Sequence, residues 1–177
     1  MTIIGIDPGL SGAVAVLNGL TSTIHDMPVF TIKANGKERR NLDIAGLIRI
    51  IQDTEAVYAF IEKVGVMPGE GSVGAFKFGY TCGAIEAVIL AAKIPFSYVT
   101  PQVWKKALQC PKDKDGARMR AGQLLPEMSH HWPLKKHDGR AEAALIALYG
   151  KRQLGNDKTA LPEPPKIENS GAPPLDF

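Results

Sequence analysis

Cysteine is scarce in this 177-residue chain: Cys82 and Cys110 are its only two. They are far apart and form no CxxC pair, so they offer neither a zinc site nor a disulfide framework. Two reduced thiols are expected. No apolar run reads as long enough to cross a bilayer. The N-terminus enters a strand directly, without the basic region and apolar segment of a leader. A cytoplasmic protein with no membrane partner is the expectation. Internal repeats are absent too. Net charge is only +3, too small by itself to name a polyanionic partner.

Apolar content of 45% and charged content of 22% are those of an ordinary globular protein. The length suits one domain with a real core. Residues 1–152 read as that domain. From Gln153 to Phe177 proline, glycine and polar residues dominate without amphipathic period, and residues 153–177 read as a disordered tail. The cations are unevenly spread: Lys105, Lys106, Lys112, Lys114, Arg118, Arg120, Lys135, Lys136 and Arg140 crowd one third of the chain. A local basic patch is the footprint of nucleic-acid binding, although a charge run is more often a solvated face.

The pattern opens with strands at about Thr2–Asp7, Gly12–Leu17 and Leu20–Asp26. Asn18-Gly19 between the second and third signals a type I′ hairpin. Pro28–Arg40 is polar and reads as a loop. Helical spacing of apolar residues follows over Asn41–Asp53, with Asn41 as the cap. A buried strand over Ala56–Glu62, a glycine-rich loop over Lys63–Gly74, a long helix over Val73–Lys93 and a strand over Pro95–Thr100 come next. The remainder is helical: Gln102–Leu108, Asp113–Leu125, and a last helix from His137 or Asp138 to about Tyr149, stopped by Gly150. The order βββαβαβ plus helices predicts a mixed α/β sheet of five strands flanked by helices.

Asp7 closes the apolar run Ile3-Ile4-Gly5-Ile6 and precedes Pro8-Gly9-Leu10-Ser11-Gly12. A buried strand thus delivers a carboxylate to its own end, a costly place for an anion that meets no cation or polar ligand. Glu62 ends the fourth strand in the same way. If these two strands are parallel, through a right-handed crossover, both carboxylates reach one sheet edge. Asp138 and Glu142 stand four apart and share a helix face. Hard oxygen ligands without paired His or Cys point to magnesium, with manganese as the alternative. Carboxylates around two ions about 3.5–4 Å apart are the arrangement for in-line phosphodiester cleavage. Singly, each has a plainer reading. Asp7 suits a turn, Glu62 a solvated strand end, Asp138 an N-cap and Glu142 a favourable charge near a helix N-terminus. Their order and number favour a shared site. His130-His131 is set aside as a metal pair, because adjacent residues on regular structure point apart.

Ile4-Gly5-Ile6-Asp7-Pro8-Gly9 resembles the opening of the RuvC-type Holliday-junction resolvases of the RNase H-like superfamily. Phe60-Ile61-Glu62-Lys63 is similar to their second acidic strand, and His137-Asp138-Gly139-Arg140-Ala141-Glu142-Ala143 to their closing acidic helix. Thr100-Pro101-Gln102-Val103-Trp104-Lys105-Lys106 looks like the phage and prophage subgroup. The resemblance covers residues 2 to 150. It implies an RNase H-like fold and a homodimer that cuts four-way or branched DNA with paired nicks. It also implies a divalent-metal site in which Asp7 bridges both ions, Glu62 ligates one and the last helix supplies the rest. The family's bacterial pattern has two aspartates three apart in that helix. Here Gly139 stands where the earlier one would fall, and His137 is a weaker candidate near the metal.

The same resemblance makes Lys63–Gly74 a mobile loop beside the site. Phe76 or Phe78 would then stack on an unpaired base, with Lys77 turned to phosphate; core packing is the plainer reading for either ring. Lys63, Lys105, Lys106, Lys112, Lys114 and Arg118 are the candidate backbone contacts. The C-terminal Pro173-Pro174-Leu175-Asp176-Phe177 could dock on a host replication protein. The rival readings are a related nuclease acting on RNA or an RNA–DNA hybrid, and a nuclease-dead DNA-binding module. Asp7-x-Gly9-x-Ser11 also resembles the first phosphate loop of actin-like and sugar-kinase ATPases, but the chain has no second copy of that domain.

Overall fold

The computed structural model describes residues 1–34, 36–65 and 71–156. The middle of the glycine-rich stretch (66–70) and the tail from 157 onward lie outside the described residues.

A mixed five-stranded sheet forms the centre, as the element order predicts. Its strands are β1 (Thr2–Asp7), β2 (Ala13–Leu17), β3 (Thr23–Asp26), β6 (Ala56–Glu62) and β7 (Phe96–Val99), in the spatial order β3-β2-β1-β6-β7. β1 pairs antiparallel with β2 and parallel with β6, and β6 is parallel to β7. Side chains alternate across the sheet with period two, and the two faces are covered separately. Ile4, Ile6, Ala59 and Ile61 face a cluster with α1 (Ile44–Gln52) and α2 (Ser72–Ala91). Ile3, Tyr58 and Phe60 face α3 (Pro101–Ala107), α4 (Lys114–Leu124) and α5 (Asp138–Asn156). Continuing that alternation places Asp7 and Glu62 on the α5 side.

Several local expectations need correction. β2 and β3 do pair antiparallel, but through a 3-10 turn at Gly19–Thr21 rather than a two-residue type I′ turn. The Ser22 hydroxyl accepts from Asn18 N–H (3.1 Å) and donates to Gly19 C=O (2.8 Å), which makes the longer connection self-sufficient. Residues 28–40 are not a loop: β4 (Val29–Ala34) and β5 (Lys37–Leu42) form a separate two-stranded ribbon, turning where Gly36 has φ +71°. Phe30–Lys33 and Lys37–Arg40 are exposed on both sides, so no buried face marked them. The cap of α1 is Asp43, whose carboxylate accepts from Gly46 N–H at 3.0 Å, and not Asn41. The last helix runs through Gly150 to Asn156. A Cβ at 150 would lie 2.2 Å from the Phe60 ring. That glycine therefore serves helix–sheet contact and not termination.

One expectation about membranes also changes. Over its 20 residues, α2 is long and apolar enough, by length and composition, to cross a membrane. Its packing is that of a sheet-covering helix, since Ile85, Val88 and Ile89 join the core.

Candidate active site

β1 and β6 run parallel with Gly5 beside Phe60 and Ile6 beside Ile61. Asp7 and Glu62 therefore end neighbouring strands at the same level. α5 reaches them because small residues let it touch the sheet. A Cβ at Gly5 would sit 2.3 Å from Ala143 C=O and Ala147 N. At Gly139 it would sit 2.6 Å from Ser11 C=O and 3.0 Å from Asp7 Oδ2. The start of α5 thus lies directly on the β1–β2 turn, and its first residue, Asp138, comes to the strand ends with Glu142 one turn later.

Burial first, then the charges of Glu62 and Glu142, push the Asp7 carboxyl from 3.8 up to about 7. Asp138 adds to the rise, and the Gly9 N–H, which donates to Asp7 Oδ1 at 3.4 Å, opposes it. The other three sequence-predicted carboxylates are thus all within electrostatic reach of Asp7. Glu62 is 8% exposed. Burial raises its pKa, while the Trp104 indole N–H, donating to Oε1 at 2.8 Å, works the other way. Lys105 Nζ donates to Glu142 Oε1 at 2.9 Å in a mostly buried pair. Lys114, at the start of α4, pairs with Asp138. Burial tends to raise the Asp138 pKa, but the Lys114 hydrogen bond and charge prevail and lower it. Among the described residues no ion pair reaches Asp7 or Glu62.

The donor chemistry suits a hard divalent cation: carboxylate oxygens only, with burial first and neighbouring negative charge second raising one of them to about 7. Among the described residues, however, no three His, Cys, Asp or Glu side chains stand close enough to enclose an ion. Lys105 and Lys114 already occupy two of the carboxylates. The set fits such a metal in kind, with ligation requiring those two lysines to give way.

The other predicted residues separate into groups. Lys105 and Lys114 turn into the carboxylate site and are not simply surface cations. Lys63, Lys77, Lys106 and Lys112 are exposed. Arg118 is half-buried and donates to Asp115 (3.1 Å) and to Pro133 C=O (3.4 Å). Phe76 is 77% exposed, whereas Phe78 is half-buried. His137 does not join the carboxylates: its Nδ1 accepts from Leu134 N–H at 3.4 Å. The rings of His130 and His131 do not point apart. They lie against each other on a 3-10 turn, Pro126–His131, with centroids 4.1 Å apart and planes tilted by 37°. Cys82 and Cys110 are both free thiols.

Sequence reasoning missed Trp104 as a site residue. Its signal was available: a buried indole N–H needs an acceptor, and Trp104 lies one turn into a helix that starts where β7, the neighbour of Glu62, ends. It also missed Arg40, which donates to Leu10 C=O (2.7 Å) and Ser11 Oγ (3.3 Å) on the turn after Asp7. Arg40 lines a groove of about 360 Å3 with Lys136 and His137. A cavity of about 800 Å3 lies elsewhere, at the opposite end of β1 between Thr2 and Arg49.

The sheet order, the flanking helices and the placing of acidic residues at strand ends define an RNase H-like fold of the RuvC arrangement. Two solved structures are similar to the chain. One is Thermus thermophilus RuvC in complex with Holliday junction substrate, with TM-score 0.60 and 17% identity, covering 86% of this chain and 96% of that one. The other is a Thermus thermophilus RuvC structure, with TM-score 0.58 and 18% identity, covering 88% and 97%. No family model matches the sequence, and no curated protein matches it.

Proposed function

We propose that the chain is a divalent-metal-dependent endonuclease that resolves four-way or branched DNA junctions, in the manner of the phage and prophage resolvases its motifs resemble. The observation that carries this reading is the convergence of four carboxylates, Asp7 and Glu62 at neighbouring strand ends with Asp138 and Glu142 on the helix laid against them, where burial and the other acids raise the Asp7 pKa. A protein keeps so unfavourable a concentration of negative charge where a cation will relieve it. Asp7, Glu62, Asp138 and Glu142 would hold magnesium or manganese. Such ions supply Lewis acidity at the phosphate and a water acidic enough to attack it.

The chain's own residues prepare the rest. The Trp104 indole N–H holds one oxygen of Glu62. Lys105 and Lys114 balance Glu142 and Asp138 and are placed to meet a phosphate when released. Lys63, Lys77, Lys106 and Lys112 are exposed for backbone contacts that position without reading sequence. The exposed Phe76 ring is free to stack on an unpaired base. Paired nicks in a symmetric junction call for two such sites, hence a homodimer acting in the cytoplasm, for a phage protein that of the host.

One gel tests this. End-labelled four-way junction, fork, linear duplex and RNA–DNA hybrid are incubated with the full chain, with magnesium and with EDTA. Magnesium-dependent, symmetric cleavage confined to the branched DNAs is expected. Cleavage of the hybrid alone makes the chain an RNA-directed relative, and binding without cleavage makes it a nuclease-dead module.

A further inference from the structure

We infer that the β4–β5 ribbon is a separate DNA-binding element, laid into the major groove of a duplex arm beside the cutting site. This rests on the nuclease reading above. The ribbon stands outside the five-stranded sheet, and Phe30–Lys33 and Lys37–Arg40 are exposed throughout. A lone two-stranded hairpin has little stability of its own. Keeping two large apolar side chains in water on one is a further cost, yet Phe30 and Ile32 are each 48% exposed.

The register sorts the ribbon into two unlike faces. Ile32 stands opposite Arg39 and Ala34 opposite Lys37, so Phe30, Ile32, Lys37 and Arg39 share one face. The other carries Thr31, Lys33, Glu38 and Arg40. On that second face the charges are already used. Lys33 pairs with Glu38 at 3.2 Å, and Arg40 is bonded to the turn after Asp7. The first face has two cations and no acid, arranged around an apolar strip. It complements a polyanion that also offers apolar surface, which describes the phosphates and base edges of a groove. Six residues per strand span about 20 Å, and a groove about 12 Å wide admits a two-stranded ribbon. Arg40 makes the placement useful. By fastening the ribbon to Leu10 and Ser11, it fixes a bound arm in register with the strand end that carries Asp7.

The experiment uses the full chain in EDTA with a labelled four-way junction, measuring affinity from about 50 to 200 mM salt. Lys37→Gln with Arg39→Gln should weaken binding about tenfold or more and lower the salt slope by about 2, since each lost phosphate contact removes about 0.9. Phe30→Ser with Ile32→Ser should weaken binding while leaving the slope alone. Lys33→Gln with Glu38→Gln, on the used face, should change neither, and all three should melt as the parent does. An unaltered affinity and slope in the Lys37/Arg39 variant, with the parent still binding tightly, overturns the ribbon proposal alone. So does a switch from dimer to monomer at unaltered slope, which would make the ribbon an interface between copies. A parent chain that binds no DNA sinks the nuclease reading as well.

Discussion

Asp7→Asn should make the metal-free protein more stable while abolishing cleavage. The asparagine keeps the shape of the aspartate and can still accept the Gly9 N–H, but it carries no charge. A carboxyl moved from 3.8 up to about 7 on folding binds its proton more tightly in the native state. The stability it gives is complete below pH 3.8 and is lost as pH rises through 7. Above that point the ionised group costs the fold about 4 kcal/mol, at 1.36 kcal/mol per pH unit. Side-chain relaxation and entering water reduce this to about 2 kcal/mol or more. For a chain of this size, 1 kcal/mol moves the melting point by about 2–4 °C. In EDTA at pH 8 the variant should therefore melt about 5 °C or more above the parent, and the gap should close by pH 4. Manganese should stabilise the parent by mass action and leave the variant where it was. A variant no more stable than the parent at pH 8 refutes the claim that Asp7 is held against its charge. Junction cleavage by it at the parental rate refutes its place in the reaction.

Lys105→Gln strips the partly buried Glu142 of its cation. Urea unfolding in EDTA should show a loss of about 1–3 kcal/mol, shrinking when manganese is added. Trp104→Phe leaves Glu62 buried without its indole donor. The expected loss is about 1.5–3 kcal/mol by the same assay, the range for a hydrogen bond to a charged group. Asp138→Asn and Glu142→Gln should each slow junction cleavage about 100-fold or more in single-turnover assays, the scale for losing one preorganised charged group. Full activity in one of them would identify the other as the ligand. Gly150→Ala puts a methyl into the Phe60 ring and should cost about 1–3 kcal/mol in thermal melts, without affecting the affinity for DNA.

The strand ends were legible because their signals are local. An apolar run stops at Asp7 and a proline and glycines follow, and Glu62 closes its strand in the same way. The parallel pairing that sets them level follows from chain order and handedness. The ribbon was illegible for the opposite reason. Neither of its faces is buried along Phe30–Lys33 and Lys37–Arg40, so the short alternation of Phe30 and Ile32 with Thr31 and Lys33 is lost among polar neighbours, and only Gly36 marked the turn. Gly150 misled because its role is tertiary: the contact it permits is with Phe60, ninety residues away in sequence. The lysines misled in a subtler way. A basic run predicts phosphate contacts, but which cations stay outside depends on where α3 and α4 are set down. Lys105 and Lys106 are neighbours, yet Lys105 turns inward to Glu142 while Lys106 remains exposed.

The close contact of α5 with the sheet accounts for the chain's departure from the acidic pattern it resembles. A side chain at 139 would enter the Ser11 carbonyl and approach Asp7 Oδ2, so an aspartate there is excluded on steric grounds alone. It would also bring a second carboxylate onto one already held near 7. Moving the acid one place back, to Asp138, puts it at the first residue of the helix. There the unpaired N–H groups and the helix dipole favour an anion, and Lys114 can reach it. Glu142, four residues on, lies on the same face with a longer side chain and its own cation in Lys105. The two α5 acids each have a lysine partner, whereas burial raises the pKa of Asp7 and of Glu62. If these carboxylates held a divalent cation, Lys105 and Lys114 would have to leave Glu142 and Asp138. Those two ammonium groups would then be free at the same sheet edge.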